Sequence, residues 1–253
     1  MEGGPEREQG KYGLLVGLLI LLAILVVNDT SIAGEMQEIA INGRRDLQIA
    51  VEGAKIEFVE NSDRIYLSEE LIVKNEPDSL YITSPRVKGL TGFFNLVKVN
   101  QSTKKIIIGT AGGFSRVEIN SGGVAIRGTL QAETIEIKAA GIDIQADLAA
   151  EKLRIAGAGL NLRGKIKTEE LVIESAGMDI DIAVEDTRQL ALSGAGFSVK
   201  IKYLDTWAGR RQVKAAAVGG DLSLLIPRDN GKQAAGELDV DTSGFITVKV
   251  DYY

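Results

Sequence analysis

The chain has neither cysteine nor histidine in its 253 residues. That excludes disulfides, thiol nucleophiles, histidine general bases, Ser–His–Asp triads and any zinc site built from Cys or His. Proline is scarce at 4, and there is a single Trp. A basic surplus is missing as well. The formal net charge is −6 and the pI is near 5.0, whereas a nucleic-acid binder carries a basic footprint. Helical spacing of apolar residues at three and four is also absent between residues 39 and 253. Glycine, at 29, is plentiful, and apolar residues make up 45%, as in an ordinary folded chain.

One long uncharged run stands out, YGLLVGLLILLAILVV from Tyr12 to Val27. As a helix it spans roughly 24 Å, somewhat less than the roughly 30 Å of a bilayer core. Lys11 can snorkel and Asn28 can sit at the interface. The run reads as an uncleaved transmembrane anchor over 12–28. The competing reading is a signal peptide cut after Ala33, in the small-residue sequence Ser31-Ile32-Ala33. The acidic head with only Arg7 and Lys11 is a poor signal n-region, which favours the anchor. Both readings export the remainder. Arg7 and Lys11 precede the run while Asp29, Glu35 and Glu38 follow it, so residues 1–11 are expected as a cytoplasmic tail. The expected location is thus the cell membrane, single-pass, with the C-terminal domain extracytoplasmic. Residues 29–38 read as a linker.

The informative pattern is an eighteen-residue repeat. GVAIRGTLQAETIEIKAA starts at Gly123, and its counterparts start at Gly141, Gly159 and Gly177, the last one residue longer; GFSVKI follows at Gly196. One apolar column reads Ile126, Ile144, Leu162, Ile180, Val199. The pairs Ile135/Ile137, Leu153/Ile155, Leu171/Ile173 and Leu190/Leu192 form others. Alternation at spacing two within each repeat is the strand signal. A fixed repeat of short strands, each unable to bury its apolar face alone, predicts a stack. The fold class expected is all-β: a single-stranded β-solenoid of about eighteen residues per turn, right-handed, behind the N-terminal helix. Residues 39–253 divide into an N-terminal cap (39–105), regular coils (106–201) and a C-terminal cap (202–253). Ala140, Ala158, Ala176 and Ala195, each before a repeat glycine, are expected at crowded corners where Gly takes positive φ. Asn161 is expected to tolerate change.

Outward columns are polar. Arg127, Gln145, Arg163, Asp181 and Lys200 form one, and Asp143, Asn161 and Asp179 another. Glu133, Glu151 and Glu169 form a third, in which carboxylates stacked about 4.8 Å apart repel one another. A cation ladder with oxygen ligands is the sharp reading. Solvated carboxylates neutralised by Lys152 and Arg188 are the favoured one, so no metal site is assigned.

The tetrads Lys138–Gly141, Ala156–Gly159, Glu174–Gly177 and Ser193–Gly196 resemble the SGAG punctuation of the bacterial adhesin-like β-solenoid family, of head-GIN and toastrack type. DLQIAVEGAKIEFVE with SLYITS, within residues 40–84, is similar to that family's opening strands, and VGGDLSLLIP at 218–227 to its closing strand. The resemblance covers most of residues 40–250. It implies an envelope protein, mostly of unknown function, sometimes tied to envelope stress sensing, with no catalytic residues to transfer. A weaker likeness, through G-x-L-x-A-x-x-I-x-I, is to bactofilins, which polymerise end to end.

Enzyme motifs find little support. Ser102-Thr103-Lys104-Lys105 matches S-x-x-K, but that motif belongs at a helix start in an α/β fold. Gly157-Ala158-Gly159 sits between strands with no helix following, unlike a dinucleotide loop. Glycan-processing β-helix enzymes have longer turns with loops that build a groove, and the turns from 123 to 195 are nearly loop-free. The chain therefore reads as non-catalytic, with no cofactor. The candidate partner-binding residues are Tyr203, Asp205, Trp207, Arg210 and Arg211, because aromatic and arginine side chains anchor interfaces. The competing reading is that Trp207 packs as an end cap. The functional expectation is a membrane-anchored adhesin-like interaction or envelope-sensing module with a protein or glycan partner and no nucleic acid. A self-assembling bactofilin-like scaffold is the alternative, and a glycan-processing enzyme the third reading.

Overall fold

A computed structural model describes residues 36–85, 103–206, 209–229, 232–233 and 237–253. The apolar run at 12–28, the proposed cleavage point after Ala33 and Trp207 lie outside the described residues. Among the described residues no helix is long and apolar enough to cross a membrane. Residues from Gln37 onward form one compact unit.

The strands are β1 (Met36–Ala40), β2 (Asp46–Val59), β3 (Arg64–Ser68), β4 (Ile72–Asn75), β5 (Ser79–Thr83), β6 (Lys104–Gly109), β7 (Phe114–Glu185), β8 (Gln189–Tyr203), β9 (Arg210–Ile226), β10 (Arg228–Asp229), β11 (Lys232–Gln233) and β12 (Glu237–Tyr252). The expectation of an all-β fold holds. The sheet is mixed, in the order β1-β3-β6-β2-β7-β8-β9-β12, with β5 on β2 and β4 on β5; β10 and β11 form a separate hairpin.

Alternation at spacing two is what drives the architecture. It places one row of side chains inward on every pass of the chain, and that row is buried only if the next pass lies alongside. Parallel register shows this directly. Val51 pairs with Ser121 and Gly53 with Gly123; Gly177 pairs with Gly196, and Gly196 with Gly219. Inside β7, residues one repeat apart are neighbours: Asn161 Nδ2 donates to Asp143 Oδ1 at 3.1 Å, and the Lys165 amide donates to Asp147 Oδ1 at 2.9 Å. The resulting core columns are dry. Ile126, Ile144, Leu162, Ile180 and Val199 are at most 3% exposed.

The parallel ladder does not stop at Ile201. β9 pairs with β8 from Gln212 to Leu225, and β12 pairs with β9 from Glu237 to Tyr252. The longer passes here absorb the loop after Tyr203 and the hairpin after Ile226. At the other end, β2 itself lies in the ladder against β7, while β5 and β6 lie on its opposite edge. Antiparallel β3 and β4 then cover β6 and β5.

The crowded corners differ from the expectation. Ala140, Ala158, Ala176 and Ala195 are exposed. Gly141, Gly159 and Gly177 have open space where a Cβ would stand and do not take positive φ. Crowding falls instead at Gly157, one residue before Ala158, where a Cβ would lie 2.6 Å from the Ala139 carbonyl oxygen, and at Gly164, five residues after Gly159, where a Cβ would lie 2.1 Å from that of Ala146. Gly164 also has φ of +128°. The reason is the pairing itself: the side of the backbone that faces the previous pass is closed, while the tetrad's last glycine turns its open side to solvent. Asn161 is not idle either, since it holds Asp143 and buries its own Oδ1.

Candidate functional site

The outward columns resolve into ion pairs between passes. Arg127 meets Asp143 at 2.7 Å, Arg163 meets Asp179 at 2.7 Å and Lys200 meets Asp181 at 3.8 Å. These are exposed pairs, each contributing about 0–1 kcal/mol.

The carboxylate column behaves differently. It lines a groove of about 1180 Å³ that runs across successive passes. The floor is made of small residues, Ala132, Ala150 and Thr168. Thr168 is buried, and its hydroxyl donates to the carbonyls of Glu151 and Glu170 at 3.0 Å each, which pins adjacent passes together. Glu133, Glu151 and Glu169 stand one residue after these floor positions and are exposed. Glu133 takes Arg45 at 3.1 Å and a hydroxyl hydrogen bond from Ser115 at 3.3 Å. Lys167 pairs with Asp186 at 3.3 Å. Among the described residues Glu151, Glu169 and Arg188 form no ion pair. Lys152 and Arg188, expected to neutralise the column, form no ion pair with it among the described residues, although Arg188 lines the same groove. No group of three or more carboxylates among the described residues is arranged to hold a metal ion.

The groove ends at Asp205, Gly209, Arg210 and Arg211. The structure thus joins the carboxylate column to the insertion after Tyr203. The individual candidates take distinct places. Arg211 is 4% exposed and binds Asp205 through both nitrogens, Nη1 at 3.3 Å and Nη2 at 2.5 Å. Its guanidinium lies 5.3 Å from the centre of the Tyr203 ring. Arg210 pairs with Asp239 at 2.7 Å. Tyr203 is buried rather than offered to a partner, and its backbone carbonyl accepts the Tyr253 hydroxyl at 2.8 Å. A chain of interactions therefore ties the insertion to the last residue.

Burial pushes the Tyr203 phenol from 10.0 up to about 12, against the opposing pull of Arg211. The folded state holds this proton more tightly than the unfolded chain does. Its contribution to stability is complete below pH 10 and is lost as pH rises toward about 12. In an ultraviolet titration of the tyrosines, one is expected to ionise last, at about pH 12, and Tyr203→Phe is expected to remove that step. A last step that survives the substitution contradicts the assignment.

Sequence reading missed the groove because it treated the glutamates as a corner ladder in solvent. The signal was present in the neighbouring column, where Ala132, Ala150, Thr168 and Thr187 are all short. A column of short residues beside a column of long charged ones is a trough.

The chain matches no known protein-family profile and no curated protein. Among solved structures it is similar to a proposed adhesin from Bacteroides fragilis at 15% identity, over 85% of this chain and 95% of that one, with a TM-score of 0.49. A proposed lipid-binding protein from Parabacteroides distasonis is similar at 16% identity, over 88% and 98%, with a TM-score of 0.43. A proposed adhesin from Parabacteroides merdae is similar at 12% identity, over 87% and 95%, with a TM-score of 0.39.

Proposed function

We propose that the chain is a non-catalytic recognition module displayed on the outer side of a cell membrane. Its stacked passes are the coils of a right-handed β-solenoid, and residues 12–28 anchor it. The groove is the recognition surface, and it takes a polar partner that brings amines to Glu151 and Glu169 and an acidic group to Arg188. The observation that carries this reading is the pair of stacked glutamates in a rigid trough with no cation at salt-bridge distance among the described residues. Stacked like charges destabilise the free protein slightly, and an amine bound between them removes that repulsion. Rigid β backbone beneath the groove lowers the ordering cost of binding.

The test is calorimetric titration of the full-length protein with an amine-bearing chito-oligosaccharide and with a lysine-rich peptide, each against its fully acetylated form. Binding of at least one amine-bearing probe is expected, and it should weaken with salt. The double variant Glu151→Lys/Glu169→Lys is expected to abolish it. Equal binding of acetylated probes, or binding that survives the double variant, contradicts the reading. The anchor is tested separately by intact mass of the native protein in the membrane and soluble fractions. A full-length mass in the membrane is expected, and a soluble chain starting at Gly34 contradicts it.

A further inference from the structure

The two ends of the sheet are finished differently. At the N-terminal end, antiparallel β3 and β4 pair with β6 and β5, and Leu80, Ile82, Ile106 and Ile108 are buried. At the C-terminal end β12 comes last. One edge pairs with β9 from Glu237 to Tyr252, and no described strand pairs with the other. Its core-side residues show the consequence. Leu238, Val240, Ile246 and Val250 are only partly covered, whereas Val213, Leu222, Leu224 and Ile226 of β9 are buried. Phe245 is 86% exposed, Val218 is 72% exposed, and both line a shallow depression of about 510 Å³. A long open edge beside exposed apolar side chains is a template for another strand.

The occupant is indicated by the sequence of β12, which complements itself in antiparallel register about Phe245. In that register Asp241 faces Lys249 of a second copy, and by symmetry Lys249 faces Asp241. Val240 meets Val250, Leu238 meets Tyr252, and the two Phe245 rings meet on the two-fold axis. The Val240–Val250 and Leu238–Tyr252 matches fall on the half-covered core side, and the Phe245 pair falls on the outer side with the charged ones. Asp239 faces Asp251; Arg210 holds Asp239 at 2.7 Å, and Lys249, which holds Asp251 at 2.7 Å, is shared between Asp251 and Asp241 of the second copy.

The geometry points to a two-fold dimer in which β12 pairs with β12 of a second copy and one sheet runs through both chains. At the opposite end β1 and β4 are only 5 and 4 residues long and offer short edges, so assembly stops at two copies. This dimer is independent of the groove, which lies along the side of the stack.

The experiment is a dilution series of the full chain followed by native mass spectrometry. The wild type is expected to be a dimer that dissociates on dilution. Phe245→Asp is expected to raise the dissociation constant on the order of tenfold or more. Asp241→Lys and Lys249→Asp are each expected to weaken the dimer roughly fivefold, and the double reversal to restore it to within roughly twofold. Because Phe245 protrudes into solvent, its substitution should leave the melting temperature of the dilute protein unchanged. A strict monomer, open-ended filaments, a dimer insensitive to Phe245→Asp, or a double reversal that fails to restore pairing each overturns the proposal.

Discussion

Replacing Gly164 by alanine is expected to destabilise the protein by about 4 kcal/mol, while the same change at Gly159 shifts stability by less than about 0.5 kcal/mol. Both glycines lie in one repeat, five residues apart, and both look interchangeable in a composition count. Their surroundings differ. A Cβ on Gly164 would meet the Ala146 carbonyl oxygen at 2.1 Å, and φ there is +128°. The obstacle is backbone engaged in the ladder, so no side chain can rotate away. A Cβ on Gly159 meets nothing within 4 Å. Thermal melts of the two variants check this. At about 3 °C per kcal/mol for a domain of this size, Gly164→Ala should melt some 10 °C lower or fail to fold. Equal melting temperatures would show that the passes are not packed as closely as described.

The second large effect is expected at Asp205→Ala, at about 3 kcal/mol. Arg211 is 5% exposed in its side chain and Asp205 24%, so the pair is mostly removed from water. Removing the carboxylate takes away a two-nitrogen partner from a desolvated guanidinium, and breaking a buried pair from one side costs more than the pair is worth. Asp205→Asn keeps an acceptor in place and should cost less. The loss is local in origin, because the cluster ties the loop after Tyr203 to the start of β9. Hydrogen exchange should therefore show β9 and β12 losing protection before β7. Uniform loss along the chain would contradict a local role for the cluster.

These two positions also show what the sequence does and does not reveal. The strand class and the inward columns follow from alternation, because a period of two has only one physical reading once it recurs every eighteen residues. Ile126 and its successors were therefore placed correctly in the core. The crowding expected at Ala158 falls one residue earlier, at Gly157, and again at Gly164, outside the tetrad. Glycine at the head of each repeat drew attention, but a residue's chemistry does not say which side of it faces the neighbouring backbone. That depends on register, and register is a relation between two passes. The same limit hid the groove. Asp205 and Arg211 were legible as candidates from their chemistry, while Glu151 and Glu169 were read as an isolated column. Only stacking places both on one trough. Tyr203 shows the converse: an aromatic at the start of an insertion looked available, yet it is paired with Val184 and buried. The ladder beyond Ile201 was hidden by loop insertions, which change the period without breaking the pairing.

The central claim is that recognition is built on interchangeable passes of one repeat. Deleting residues 141–158 tests it most directly, because the cut removes one whole pass together with Glu151 and brings Ala140 to Gly159 in register. The account predicts a chain that still melts cooperatively, close to the wild type, and binds amine-bearing probes more weakly. An unfolded chain, or one that binds as well as the intact protein, would contradict it.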